Sequence, residues 1–74
     1  SIINLLLDRG ADINLIGDQY GTALGAAAFM EQLDIVTLLL DRGADINRIG
    51  GDFGTALGAA AWRGKLDVVT LLLD

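Results

Sequence analysis

The chain has 74 residues, of which 53% are hydrophobic, with a formal net charge of −5 and a pI of about 4.2. Its length allows one small domain or a piece of a larger one, which can bury only a modest core alone. The sequence contains no Cys and no His, which excludes disulfides, thiolate metal sites and the commonest general base. The acidic balance argues against a nucleic-acid partner, because a phosphate backbone requires clustered Lys and Arg.

In chain order, the pattern predicts a helix at 2–8, a short first helix at 23–30 and a second helix at 33–41, and then the same pair at 56–63 and 66–74. Thr22 and Thr55 precede the first helices, where a hydroxyl accepts a bond from the second or third helical amide. Gly10 and Gly43 follow second helices, because Gly tolerates the left-handed conformation that ends a helix. The turn-rich tips at 16–21 and 49–54 are predicted to form short β-hairpins or turns.

An internal repeat of 33 residues explains this recurrence. When residues 1–41 are aligned with residues 34–74, 12 of the 41 pairs differ and the other 29 are identical. Such a period is typical of a solenoid, whose units are too small to bury their own apolar faces. The expected divisions are a trailing second helix and loop (1–14), a full unit (15–47) and a unit that ends at its second helix (48–74). We expect the chain to be an excerpt of a longer array.

The run GTALGAAA, at 21–28 and again at 54–61, admits a phosphate loop, a membrane-helix contact or a packing element. A phosphate loop needs a Lys after its second glycine, and a membrane contact needs an apolar span of about 18 residues or more. The sequence has neither, so we predict no membrane partner. We interpret the run as packing, with Gly25 and Gly58 small so that neighbouring helices approach closely.

The carboxylates and hydroxyls offer little catalytic chemistry. The only Ser is Ser1 and no His is present to activate it, so triad chemistry is excluded and we predict that the chain is not an enzyme. A metal bound by oxygen ligands needs several of them to converge, and the spacing of Asp18 and Asp52 does not demand this, so we predict neither metal nor cofactor. Four further polar residues recur with the period and are expected to form Asx-type turns: Asp12, Asn14, Asp45 and Asn47.

The run GTALGAAA together with LDIVTLLLDRGADIN, at 33–47, resembles the signatures of the ankyrin-repeat family, at that family's own period and over essentially the whole chain. Ala and Gly stand at 23 and 25, and again at 56 and 58, where the family usually has Pro and His. The resemblance implies an all-α ankyrin-repeat solenoid of antiparallel helix pairs with short β-hairpin or turn tips, about two and a half repeats long. The sequence pattern around GTALGAAA is similar to that of fungal-type ankyrin arrays, which are often attached to signalling NTPase domains. An intracellular, cytoplasmic location fits the lack of Pro and Cys.

The two units differ mainly at the hairpin tips and at the ends of the first helices. The resemblance implies that these segments share one concave face, on which the family binds protein partners. Exposed aromatics and Arg there would be typical hot-spot residues, and we expect Phe29, Met30, Trp62 and Arg63 to form one patch. Changing Phe29, Trp62 and Arg63 together is expected to abolish partner capture without lowering the melting temperature. The predicted partner-binding residues are Asp18, Gln19, Phe29, Met30, Arg42, Arg48, Asp52, Trp62 and Arg63.

Several alternatives remain open. The chain could be a structural or regulatory segment that makes only intramolecular contacts within a larger signalling NTPase-type protein. An isolated fragment is expected to stack end to end with other copies. Tyr20 and Phe53 recur one period apart and are interpreted as a ladder that pins the tips onto the helices. Arg42 could be a solvated residue near a helix end rather than a contact residue.

Overall fold

The computed structural model describes residues 2–73, which fold into five short helices. α2 pairs with α3, and α4 pairs with α5; the two pairs stack mainly through α2 against α4. The predicted all-α architecture of stacked helix pairs is confirmed. The helices are α1 (Ile2–Asp8), α2 (Ala23–Phe29), α3 (Leu33–Asp41), α4 (Ala56–Trp62) and α5 (Leu66–Leu73).

The helix ends follow the predicted signals closely. The hydroxyls of Thr22 and Thr55 accept hydrogen bonds from the backbone N–H groups of Gly25 and Gly58, at 3.2 and 3.1 Å. These bonds confirm both N-caps, and each satisfies an amide that the helix itself leaves unpaired. Gly43 has a φ of +93°, as expected of a residue that ends a helix. The first helices stop one residue earlier than predicted, and the predicted last residue of α5, Asp74, lies outside the described residues.

The tips form tight turns, which is one of the two forms predicted for them, and not β-hairpins. In the first tip, the Gly17 N–H donates to the Gly21 carbonyl and the Gly21 N–H donates to the Asp18 carbonyl, both at 3.0 Å. Between residues 2 and 73 the β-structure is limited to one isolated bridge, between Asp18 and Gly21. A turn closed over so few residues leaves too little chain on either side for a ladder of paired strands.

The core is built from small side chains. The largest fully buried residues are Leu24, Val36, Leu39 and Val68. Around them Ala dominates, which allows α2 and α4 to approach closely and supports the interpretation of GTALGAAA as a packing element. The buried alanines are Ala27, Ala28, Ala56, Ala59 and Ala60.

Gly25 and Gly58 are small for a reason that the sequence interpretation missed. A Cβ built on Gly25 would overlap the carbonyl oxygen of Tyr20, and one built on Gly58 would overlap that of Phe53. Both carbonyls belong to the tip of the same unit, five residues earlier in the chain. These two glycines therefore let each tip fold back onto its own first helix, and they do not serve to admit a neighbouring helix.

The two units are also linked through their loops. The side-chain oxygens of Asp12 and Asp45 accept bonds from the backbone N–H groups of Asn14 and Asn47, each at 2.9 Å, which confirms two of the predicted Asx turns. The Asn14 side chain instead accepts a bond from the backbone N–H of Asp45, at 2.7 Å, and so joins one unit to the next. At the tips, the backbone N–H of Asp52 donates to the carbonyl of Gln19 at 2.7 Å.

We expect Glu31→Gly to stabilise the fold by about 1 kcal/mol. Glu31 has a φ of +59°, a left-handed conformation that costs a side-chain-bearing residue roughly 1–2 kcal/mol. Its counterpart in the next unit is Gly64, with a φ of +68°. The substitution also removes an ion pair between Lys65 Nζ and Glu31 Oε1 at 3.3 Å, which is partly exposed and contributes about 0–1 kcal/mol.

The strain is isolated by comparing Glu31→Gly with Glu31→Ala in urea unfolding. Both variants lose the ion pair, but only Gly relieves the backbone. We expect the Gly variant to exceed the Ala variant in unfolding free energy by about 1 kcal/mol. Equal stability of the two variants would show that the bend carries no strain.

Candidate partner-binding surface

The four aromatic side chains of this sequence form one connected cluster. Tyr20 and Phe53 lie in the two tips, while Phe29 and Trp62 are the last residues of α2 and α4. Within each unit the tip ring packs against the helix ring, with centroids 4.9 Å apart for Tyr20 and Phe29 and 5.1 Å apart for Phe53 and Trp62. Between the units, Phe29 stacks on Phe53 at 5.0 Å and faces Trp62 at 6.4 Å.

The ring ladder therefore alternates between tip and helix, and Phe29 is its centre. Phe29 contacts a ring of its own unit and two rings of the next one. Offset and tilted aromatic pairs at such distances each contribute about 0.5–1.5 kcal/mol beyond the area that they bury. The cluster thus fixes both tips onto the first helices and the two units onto each other.

The outer part of the cluster is open to solvent. Tyr20, Phe29 and Phe53 are half-buried, but Trp62 is 69% exposed. Beside it, the guanidinium carbon of Arg63 lies 4.8 Å from the centroid of the Phe29 ring, in cation–π geometry. Trp62 and Arg63 are therefore an exposed aromatic residue and an exposed cation, and each packs against a half-buried Phe ring.

Met30 lies apart from this pair. It lines an apolar groove of about 350 Å³ together with α1 residues such as Ile3 and Leu6. The positions of Met30 and Arg63 correspond in the two units, and both side chains point back toward the preceding unit. For Arg63 that unit supplies the ring of Phe29, whereas for Met30 it supplies α1. The expected single patch of four residues is therefore divided between two surfaces.

Exposed polar residues border the ring cluster at the tips. The Asp18 side chain accepts a bond from the backbone N–H of Tyr20 at 2.9 Å, and the carbonyl of Gln19 accepts the N–H of Asp52. Arg48 Nε donates to the carbonyl of Asn14 at 3.3 Å. These contacts place the side chains of Asp18, Gln19 and Asp52 on two adjacent tips, directly before the tip rings in the chain.

Comparison with protein-family models decides the identity of the repeat. The model described as ankyrin repeats matches residues 1–74 in three copies. The chain belongs to the ankyrin-repeat family. Ankyrin repeats are generally protein–protein interaction modules and are typically non-catalytic. A search of curated proteins finds no significant match.

Arg42 takes part in an intramolecular contact between consecutive ankyrin units. Its guanidinium donates to Asn4 Oδ1 at 2.8 Å and to Asp8 Oδ1 at 2.9 Å, so it ties the end of α3 to α1. These contacts join Arg42 to the preceding unit. The pair is visible in the sequence only as opposite charges 34 residues apart, one more than the period.

Among residues 2–73, no three acidic side chains are grouped in a way that could hold a metal ion. No helix in the same range is both long and apolar enough to cross a membrane.

Proposed function

We propose that this ankyrin-repeat chain binds a protein partner through a surface made of Trp62, Arg63 and the exposed tip residues Gln19 and Asp52. The observation that carries the proposal is the 69% exposure of Trp62 on an ordered ring cluster. Trp and Arg are the residue types most enriched at binding hot spots, where a few side chains supply most of the affinity.

The half-buried rings of Phe29 and Phe53 favour binding, because they hold Trp62 and Arg63 in place before a partner arrives. The Trp62 ring packs against Phe53, and Arg63 is held over Phe29. A partner that covers these side chains therefore loses little of their conformational freedom, which is a principal cost of association. The tips add polar groups around the aromatic centre, an arrangement that resembles the core and rim of known interfaces.

We expect the double variant Trp62→Ala, Arg63→Ala to weaken partner binding by at least tenfold. Phe29 stays unchanged, because it is half-buried at the centre of the ring cluster. Its replacement would remove the ring contacts that hold the two tips and the two units together. The protein is used as bait to capture a partner, whose affinity for each variant is then measured by calorimetry. The matched control is Arg42→Ala, which also removes an Arg but breaks only the contact with α1.

Unchanged affinity in the double variant, with a melting temperature close to that of the parent, would show that the surface is misplaced. The alternative function is a regulatory segment that contacts only other parts of a larger signalling NTPase-type protein. In that case no separate partner is captured, and crosslinks from residue 62 join it to other segments of the same chain.

A further inference from the structure

We infer that the partner presents a cationic peptide segment, in which Lys or Arg side chains stack on Trp62 and pair with the acidic tips. This inference rests on the proposed function and specifies the chemistry of the partner. It is carried by the open face of Trp62 together with the distribution of charge around the ring cluster.

The ring cluster is suited to hold a cation. It already does so once, since Arg63 lies 4.8 Å from the centre of the Phe29 ring. Trp has the most favourable ring for such contacts, and Trp62 is the most exposed ring of the four. A guanidinium or ammonium group of a partner would meet at Trp62 the same kind of surface that Arg63 meets at Phe29.

The loops and tips carry a net negative charge, and Arg63 adds one positive charge at the ring cluster itself. The segments 12–21 and 45–54, which form the loops and tips, contain four carboxylates and one cation, Arg48. All four carboxylate residues are exposed. Within residues 2–73 the two ion pairs, Arg42 with Asp8 and Lys65 with Glu31, lie on other elements and neutralise none of them. The four are Asp12, Asp18, Asp45 and Asp52.

Backbone bonds to these groups do not remove their charge. The side chains of Asp12, Asp18 and Asp45 each accept one N–H from a neutral amide, which orients the carboxylate but leaves its charge available. A basic segment is therefore attracted to the tips, whereas an acidic one is repelled, and complementary charge of this kind sets the partner and the association rate. The whole chain has a net charge of −5, of which these segments contribute −3, so the remainder, at −2, acts in the same direction.

The sequence contains a single Trp, so the fluorescence of Trp62 reports directly on this surface. The probes are a synthetic peptide of alternating Arg and Ser and a matched peptide with Glu in place of each Arg. We expect the Arg peptide to change the fluorescence of Trp62 saturably and to bind at least tenfold more weakly at about 500 mM than at about 50 mM salt. The Glu peptide is expected to have no effect.

The tip carboxylates are tested with the double variant Asp18→Asn, Asp52→Asn, which keeps an oxygen acceptor for the Tyr20 N–H. We expect at least a fivefold loss of affinity for the Arg peptide. The matched control, Asp34→Asn with Asp67→Asn, removes the same charge from the first turns of α3 and α5, away from the tips. It should change the affinity less than twofold.

Three results would overturn the inference: no saturable response to the Arg peptide, equal response to both peptides, or equal losses in the two double variants. Failure of the proposed function is distinguishable from these. A captured partner whose affinity depends on Trp62 and Arg63 but not on the tip carboxylates would retain the binding surface and exclude the cationic segment. A captured partner indifferent to Trp62 and Arg63 would exclude the surface itself.

Discussion

Gly25→Ala will destabilise the fold by about 2 kcal/mol, although Ala is the better helix former by about 1 kcal/mol. The added Cβ overlaps the carbonyl oxygen of Tyr20, and a backbone atom cannot move aside as a flexible side chain can. Relief requires the tip to move away from α2, which separates the Tyr20 ring from Phe29. Overpacking of this kind typically costs 1–3 kcal/mol, and in a chain of this size about 2 kcal/mol lowers the melting temperature by roughly 10 °C.

The control for this prediction is the reverse change in the other unit. Ala61 is an exposed residue of α4, so Ala61→Gly should cost no more than about 1 kcal/mol, through helix propensity alone. Gly58→Ala should repeat the larger loss, because its Cβ meets the carbonyl of Phe53. The measurement is the melting temperature of each of the three variants, compared with that of the parent. A higher melting temperature for Gly25→Ala would show that propensity prevails and that the tip yields without cost.

The helices could be predicted from the sequence because their signals are local and occur twice. Thr22 precedes a helix and caps it, and Gly43 follows one with the expected positive φ. The positive φ of Glu31 could also be anticipated, because its counterpart in the next unit is Gly64. The caps depend on contacts within a few residues, and the Glu31 conformation is indicated by the equivalent position one period later, so the sequence contains the information in each case.

The contacts between units could not be predicted in the same way. Arg42 bonds to Asp8 across 34 residues, and a period of 33 does not say which neighbouring side chain a long residue reaches. Met30 and Arg63 occupy the same position in consecutive units, yet they lie on different surfaces, because the preceding unit supplies α1 to Met30 and the Phe29 ring to Arg63. The reason for Gly25 was also hidden, since the tip returns onto the helix only in three dimensions.

The ring cluster shows how a repeat can build a surface that differs from unit to unit. Its positions are aromatic in both units, so the stacking is preserved, but Tyr20 and Phe53 differ, as do Phe29 and Trp62. These two pairs of positions are therefore variations on one packing arrangement. Sequence differences at these positions therefore point to the proposed surface. They do not tell which side chains are exposed, such as Trp62, and which are half-buried beneath them, such as Phe29.

Leu24→Ala will cost about 3 kcal/mol, and Leu57→Ala about 1 kcal/mol, although both residues lie in the same sequence, GTALGAAA. Leu24 is 1% exposed, in a core to which α4 contributes, whereas Leu57 is only half-buried. Truncating Leu24 leaves a cavity among the core residues around it. Truncating Leu57 removes a side chain that already contacts water, so less buried area is lost and no closed cavity forms.

The difference between these two costs measures how much of the fold depends on stacking. Local sequence, helix propensity and capping are the same at both positions, so they cancel in the comparison. The remaining difference is the burial that stacking of the next helix pair provides. Urea unfolding of the two variants, with unchanged m-values, would give the difference directly. Equal costs would contradict this account, because burial in the core is what distinguishes Leu24 from Leu57. A larger cost at Leu24 would show that burial in the shared core, and not local sequence, sets what this Leu contributes to stability.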